Sequence, residues 1–174
     1  MSTISIELVV GTTIACSFIL FGNAITQSFM GVPALLVNFP PASSSEHESR
    51  ARLLARQWPI LWKVGNVFFR PISTLGIFGY AYTAWAVSSK ASDDQMGDWR
   101  LYAIAAVCHL VTVVHSALNM QPINEKIAAL EAPKGHVDTR LAESYGRKWI
   151  KYNTVRLITP FIAGSLALSQ ALKR

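Results

Sequence analysis

Residues 4–26 read ISIELVVGTTIACSFILFGNAIT, a stretch in which Glu7 is the only charged residue. A hydrocarbon core of about 30 Å takes roughly 20 helical residues to cross, so this segment is long enough to span a membrane. Three later segments are of similar length and carry few charges: residues 64–88, 101–120 and 150–172. We therefore expect four membrane spans in a single domain over residues 1–174.

A backbone in lipid must satisfy its own hydrogen bonds, so apolar spans of this kind are helical. The predicted fold class is all-α, an integral membrane four-helix bundle. The net charge of +6 reflects basic residues that are concentrated in residues 39–63 and 121–149 and do not form a nucleic-acid-binding block. Because positive residues favour the cytosolic side, we expect these two segments to be cytosolic loops. The expected location is the endoplasmic reticulum or another internal membrane.

The two halves of the chain share one layout. Residues 29–33 (FMGVP) end the first span, and residues 119–122 (NMQP) end the third. After a polar loop, each half then has a Trp, an Asn, an Arg and a Pro in the same order: Trp62, Asn66, Arg70 and Pro71, then Trp149, Asn153, Arg156 and Pro160. This pattern indicates two tandem helical-hairpin repeats with the same membrane orientation, whose motifs face each other.

Each Trp, Asn and Arg set is spaced along one face of a helix. Arg70 and Arg156 lie roughly 10 to 12 Å beyond the tryptophans, at about 1.5 Å per residue. Intramembrane arginine is costly and usually functional, so the two sets predict a pocket with aromatic walls and a cationic floor. The alternative is a structural clasp in which the arginines bind carbonyls at broken helix ends near Pro33 and Pro122.

The third span carries two histidines that point in different directions. His109 and His115 are six residues apart, or about 240° after one full turn. His115 shares a face with Thr112 and Asn119, and the alternative for each histidine is a satisfied core side chain. A metal site needs three or four convergent ligands, so none is predicted. Haem held by two histidines is an alternative for which no other span offers a second histidine.

Two motifs give the chain a resemblance to a known family. One ends the third span: Asn119-Met120-x-Pro122-x-Asn124. The other opens the fourth span: Arg147-x-Trp149-x3-Asn153-x2-Arg156. With the four-span layout, they resemble the anthrone oxygenase family, small membrane proteins of fungal aromatic polyketide pathways with bacterial relatives. The resemblance implies that the protein oxidises a polyketide-derived anthrone to an anthraquinone with dioxygen as co-substrate and with no organic cofactor or metal.

The implied reaction needs a base, an anion site and a dry aromatic slot, because an anthrone loses a methylene proton to give an electron-rich anthrolate. His115 would be the base, and Arg156 and Arg70 would hold the anion. The substrate-binding residues would stack on the rings or orient the oxygens: Trp62, Trp149, Tyr152 or Tyr80 for stacking, and Asn66, Asn119, Asn124 and Asn153 for the oxygens. Other enzymes of a polyketide pathway are the expected partners.

Two other functions fit the same residues. The pocket would also suit a non-catalytic binding or carrier protein for a lipid or an aromatic metabolite, since the sequence has no strong catalytic motif. A structural subunit of a larger complex is the third interpretation, based on small residues that allow close helix packing: Gly76-x2-Gly79, Gly11-x3-Ala15 and Ala163-x3-Ala167-x3-Ala171.

Overall fold

The computed structural model describes residues 3–89, 97–132 and 138–173, and every regular element in these ranges is helical. Six α-helices alternate with three short turns of other helix types. The elements are α1 (Thr3–Thr26), a π-turn (Gln27–Gly31), α2 (Val32–Leu36), α3 (His47–Ser88), α4 (Trp99–His115), a second π-turn (Ser116–Met120), α5 (Gln121–Ala129), a 3-10 turn (Thr139–Leu141) and α6 (Ala142–Ala171). The prediction of an all-α fold is confirmed.

The four long helices α1, α3, α4 and α6 form the bundle. Each packs mainly against two neighbours, in the cyclic order α1, α3, α4, α6, while α3 and α6 hardly touch across the diagonal. Within the described ranges, two continuous helical stretches are long and apolar enough to cross a membrane, Ile4–Leu36 and Trp99–Ala129. Helices α3 and α6, which contain the predicted span 64–88 and residues 150–171 of the predicted span 150–172, pack beside these two stretches but do not themselves reach the same mean hydropathy.

The predicted repeat has a structural counterpart at the end of each hairpin's first helix. The amide of Val32 donates to the carbonyl of Gln27, five residues earlier, and the amide of Gln121 donates to that of Ser116 in the same way. Each of these π-turns leads into a helix with a proline in its first turn. Proline lacks an N–H, so the usual four-residue bond is lost at the same place in both halves. The two hairpins thus share a π-turn followed by a proline at the end of their first helix.

The segments predicted as loops are largely helical. Helix α3 begins at His47 and continues through Pro59 and Pro71, so residues 47–63 belong to it. Helix α6 likewise begins at Ala142, well before the predicted start of the fourth span. Residues 133–137 of the second predicted loop lie outside the described residues. At about 1.5 Å per residue, the 42 residues of α3 extend about 63 Å, roughly twice the hydrocarbon thickness.

His47 connects the two hairpins where α3 begins. Its side chain is buried, with Nδ1 2.7 Å from the carbonyl oxygen of Pro40 and Nε2 2.9 Å from that of Thr139. Pro40 precedes α3 in the first hairpin, whereas Thr139 opens the 3-10 turn before α6. His47 therefore contacts both connecting segments, and it donates to both carbonyls when each ring nitrogen carries a proton.

The buried apolar residues form two clusters, one towards each end of the bundle. The terminal core joins the start of α1, the end of α3, the start of α4 and the end of α6, which shows that successive long helices are antiparallel; it includes Ile6, Tyr80, Tyr102 and Ala163. The loop core lies at the opposite end and includes Leu36, Leu54, Trp58, Ile127 and Trp149. A cavity lies between the two cores, with a lining that is mostly apolar and includes several polar side chains.

Candidate functional site

The cavity has a volume of about 370 Å³ and is lined by residues of all four long helices. It adjoins both π-turns, since Gln27 comes from the first and Ser116, Ala117 and Met120 from the second. Cavities of roughly 300 to 1,000 Å³ hold small organic ligands, and π-turns frequently occur at functional sites. Its position and size make this cavity the candidate site.

The structure brings six of the ten predicted site residues to the cavity wall. Both arginines and both tryptophans of the predicted pocket are among them, together with two asparagines: Arg70, Arg156, Trp62, Trp149, Asn66 and Asn124. Helix α3 contributes a continuous strip of the wall from Trp58 to Thr74, and α6 faces it across the cavity with Trp149, Arg156 and Pro160. The first motif therefore lines the cavity with all three predicted side chains, whereas the second lines it with its Trp and its Arg but not with Asn153.

The other four predicted residues lie outside the lining. His115 donates from Nε2 to the carbonyl of Tyr152 at 3.0 Å, and its Nδ1 accepts from the side-chain amide of Asn119 at 3.1 Å. The shared face of His115 and Asn119 is thus confirmed, but that face turns towards α6 and the surface. With both ring nitrogens occupied away from the cavity, the geometry does not support His115 as the base.

Asn153 is fully buried and connects α6 to α1. Its amide group donates to the carbonyl of Ala24 at 3.2 Å and to the hydroxyl of Ser28 at 2.9 Å. These bonds position the first π-turn against α6, because Ser28 belongs to that turn. Asn153 therefore supports the cavity wall from behind instead of contacting a ligand.

Asn124 accepts hydrogen bonds from two tryptophans at the loop-core end of the cavity. The indole N–H of Trp149 lies 2.9 Å from its Oδ1 and that of Trp58 lies 3.1 Å from the same atom. We call these three residues the Trp clasp. Trp58 was not among the predicted site residues, because the Trp-x3-Asn spacing favours Trp62 as the partner of Trp149. The signal that would have identified it is the second tryptophan one helical turn earlier.

Arg156 places a cation in the cavity wall without a carboxylate beside it. Among the described residues, its one hydrogen-bond partner is the thioether sulfur of Met120, 3.9 Å from Nη1. Thioether sulfur is a weak acceptor, so the guanidinium is poorly compensated. Burial of a charge without a partner costs free energy. An unpaired buried cation is therefore typical of a site that binds an anion.

Two further polar groups of the cavity wall lack a partner. The Nε1–H of Trp62 and the Oε1 of Gln27 are both buried and make no hydrogen bond within the described structure. Buried polar groups are nearly always paired, so such exceptions indicate a ligand or water. With Arg156, they give the cavity two unused donors and one unused acceptor. Gln27 was missed from the sequence, where only the later Pro33 marks the π-turn.

Tyr80 is part of a buried network in the terminal core rather than a stacking residue of the cavity. Ser17 donates to the carbonyl of Thr13 at 2.9 Å, and its oxygen lies 2.9 Å from both the Tyr80 hydroxyl and Nε2 of His109. Ser17 thus accepts from both neighbours. His109 is a core histidine, packed against Gly76, and the described residues contain no group of three potential metal ligands.

The comparisons with known proteins identify one family. No curated protein and no solved structure gives a significant match to the chain. A family model described as anthrone oxygenase matches residues 58–166, more than half of the 174 residues. The matched region begins at Trp58 of the Trp clasp and includes Arg70 and Arg156. The chain belongs to the anthrone oxygenase family.

Proposed function

We propose that this protein oxidises an anthrone to an anthraquinone with dioxygen inside the cavity, with no organic cofactor. The observation that carries the proposal is that the poorly compensated Arg156 and the unused N–H of Trp62 line the same cavity from facing helices. An anthrolate has the matching features, since it combines a flat apolar body with one anionic oxygen. Aromatic lining residues such as Phe69 and Trp62 provide surfaces for its rings.

The chain's contribution to the reaction is to stabilise the anion. The described lining residues include neither a carboxylate nor an imidazole, so we assign the methylene proton to a water molecule that enters the cavity with the substrate and returns this proton to the peroxide anion in the next step. Arg156 and Trp62 bind the oxygen on which the negative charge of the anthrolate develops, with Arg70 at the cavity edge as the second cation. Preorganised donors of this kind in a water-poor site usually contribute the largest part of catalysis.

Dioxygen is the only oxidant that the remaining steps need for their atoms and electrons to balance. Dioxygen oxidises the anthrolate carbon and binds to it, and protonation gives a carbon-bound hydroperoxide. Loss of the second proton from that carbon, with cleavage of the O–O bond, releases water and leaves the second carbonyl. One anthrone and one dioxygen thus give one anthraquinone and one water.

The test compares quinone formation with the spontaneous oxidation rate. Membranes that contain the protein are mixed with a hydroxylated anthrone without oxygen, and oxygen is then admitted. We expect quinone formation well above the rate in membranes without the protein, and we expect Arg156→Met to remove most of the difference. Arg100→Met is the control, because Arg100 is exposed at the other end of the bundle. Equal rates with and without protein across several anthrones would refute the proposal.

A carrier function is the second candidate, because the lining offers binding groups but no general base among the described residues. A carrier would bind an anthrone or anthraquinone stoichiometrically and would not accelerate oxidation. Binding measured by quenching of tryptophan fluorescence, together with the oxidation assay, distinguishes the two functions. The polyketide origin of the ligand and contact with other pathway enzymes belong to the oxygenase proposal.

A further inference from the structure

The exposed part of the described cavity lining lies on one side of the bundle. Among the described residues that line the cavity, three are exposed: Arg70 and Thr74 on α3, and Ala117 in the π-turn after α4. The lining residues of α1 and α6 are buried or partly buried. The wall is therefore open along the seam between α3 and α4. We refer to Arg70, Thr74 and Ala117 as the rim.

The surface around the rim is apolar. On α3, Val67 is 70% exposed and Phe68 is 62% exposed, and beyond the rim on the other side Leu118 is 69% exposed. In a bundle that lies in a membrane, exposed apolar side chains of this density face hydrocarbon. The opening therefore faces sideways, towards the bilayer, and not towards the water beyond the loop core.

The rim presents one cation and otherwise little polarity. The Thr74 hydroxyl donates to the carbonyl of Arg70 at 2.9 Å, so its methyl group is left for the opening. Ala117 is small and does not obstruct the opening. The guanidinium of Arg70 has no hydrogen bond or ion pair with any residue in the described ranges. A ligand that passes the rim meets this guanidinium before it meets Arg156 further inside.

We propose that the rim is a lateral entrance through which an oxygenated aromatic ligand moves from the bilayer into the cavity, with Arg70 selecting for an acidic or carbonyl oxygen on its leading edge. The identity of the ligand as an anthrone rests on the proposed function, whereas the route rests on the exposure of the rim. Arg70 is thus a selectivity residue at the entrance, and Arg156 is the anion-binding residue inside.

The test narrows the entrance at its rim. Ala117→Phe adds bulk at the rim, and Leu118→Phe adds a phenyl group at the adjacent exposed position, which does not line the cavity. In proteoliposomes, stopped-flow quenching of tryptophan fluorescence reports the association rate of a dihydroxyanthraquinone already dissolved in the bilayer. We expect Ala117→Phe to slow association at least about tenfold and Leu118→Phe to leave it unchanged. Association of the Ala117→Phe protein at the unmodified rate would overturn the proposal.

A second experiment adds the blocking group after the protein has folded, so the bulk at the rim cannot affect folding. Ala117→Cys and Leu118→Cys are each made in a protein whose two native cysteines are replaced by alanine, and a bulky methanethiosulfonate is attached after purification. Blocking at Ala117→Cys alone supports the entrance, and reduction of the mixed disulfide restores the rate. Equal rates before and after labelling at both positions would contradict it.

Selectivity is tested separately from the route. Arg70→Leu keeps the opening but removes the cation, so we expect slower association of dihydroxyanthraquinone and unchanged association of anthracene, which has no oxygen. Equal slowing of both ligands would overturn the role given to Arg70. Because binding is measured without turnover, a protein that binds through the rim but oxidises no anthrone would refute the proposed function and retain the entrance.

Discussion

Trp58 and Trp149 lie edge to face, with ring centroids 5.6 Å apart and an interplanar angle of 89°. They come from different hairpins, and both indoles donate to the Oδ1 of Asn124. Edge-to-face aromatic pairs are favourable, and a buried amide oxygen that accepts two hydrogen bonds has both of its lone pairs occupied. This contact closes the cavity at the loop-core end and fixes the two hairpins against each other.

Asn124→Leu leaves two buried indole N–H groups without an acceptor. An unpaired buried donor costs about 1 to 3 kcal/mol, so we expect a large fall in the melting temperature of the purified protein. Asn124→Asp keeps the acceptor and should be less destabilising. Trp58→Phe in the Asn124→Leu background should cost less than in the native protein, because the two changes remove the same bond. If the losses of stability from the two substitutions were additive, the side chains of the Trp clasp would contribute independently.

Arg156→Met should separate activity from stability. Loss of one preorganised donor to an oxyanion costs on the order of 10² to 10³ in turnover, so anthrone oxidation should fall by that factor. The melting temperature should stay the same or rise, because a poorly compensated cation is replaced by an apolar side chain of similar length. A lower melting temperature with unchanged turnover would reverse the role given to Arg156.

His115→Ala should have a small effect on turnover, within a few fold, because the ring lies outside the cavity and both nitrogens are used elsewhere. Steady-state oxidation of an anthrone at several pH values measures the effect. Loss of activity comparable to that of Arg156→Met, in a protein with an unchanged melting temperature and an altered pH profile, would restore His115 as the base.

Gly76→Ala should destabilise the bundle, because an added Cβ would overlap the ring of His109. Overpacking of this kind costs about 1 to 3 kcal/mol. Gly11→Ala is the matched control, since a Cβ at Gly11 has no neighbour within 4 Å and alanine is the better helix former. The melting temperature should fall for Gly76→Ala and rise for Gly11→Ala. Equal melting temperatures would contradict the close packing of Gly76 against His109.

His47→Ala removes the link between Pro40 and Thr139. We expect faster proteolysis of the segments before α3 and α6, with little change in the amount of folded bundle, because the terminal core is distant from His47. Limited proteolysis followed by mass spectrometry measures both. Unchanged cleavage in both segments would show that the two hydrogen bonds contribute nothing to local stability.

The sequence predicted the hairpin repeat because its signals are local. The proline after each π-turn and the apolar length of each helix depend on neighbouring residues alone. The extent of α3 was not predictable in this way, since Pro59 and Pro71 would normally end a helix. Tertiary packing overrides this tendency: Trp58 and Leu54, on the turns before Pro59, are buried in the loop core.

The sequence predicted only part of the candidate site, because the direction in which a helix face points is not a local property. Spacing showed which side chains share a face, as with His115 and Asn119, but the rotation of the helix decides where that face points. The sequence predicted catalytic roles for both Arg156 and His115, and only the packing of α4 against α6 places one in the cavity and the other outside it. Trp58 required the knowledge that α3 continues through Pro59.

The two cores on either side of the cavity bear on how such a protein changes over generations. None of the terminal-core residues lines the cavity, whereas Trp58, Met120 and Trp149 belong both to the cavity wall and to the loop core. Lineages can therefore exchange the wall residues that lie outside the loop core and the Trp clasp at small thermodynamic cost, and new ligand preferences can evolve at those positions.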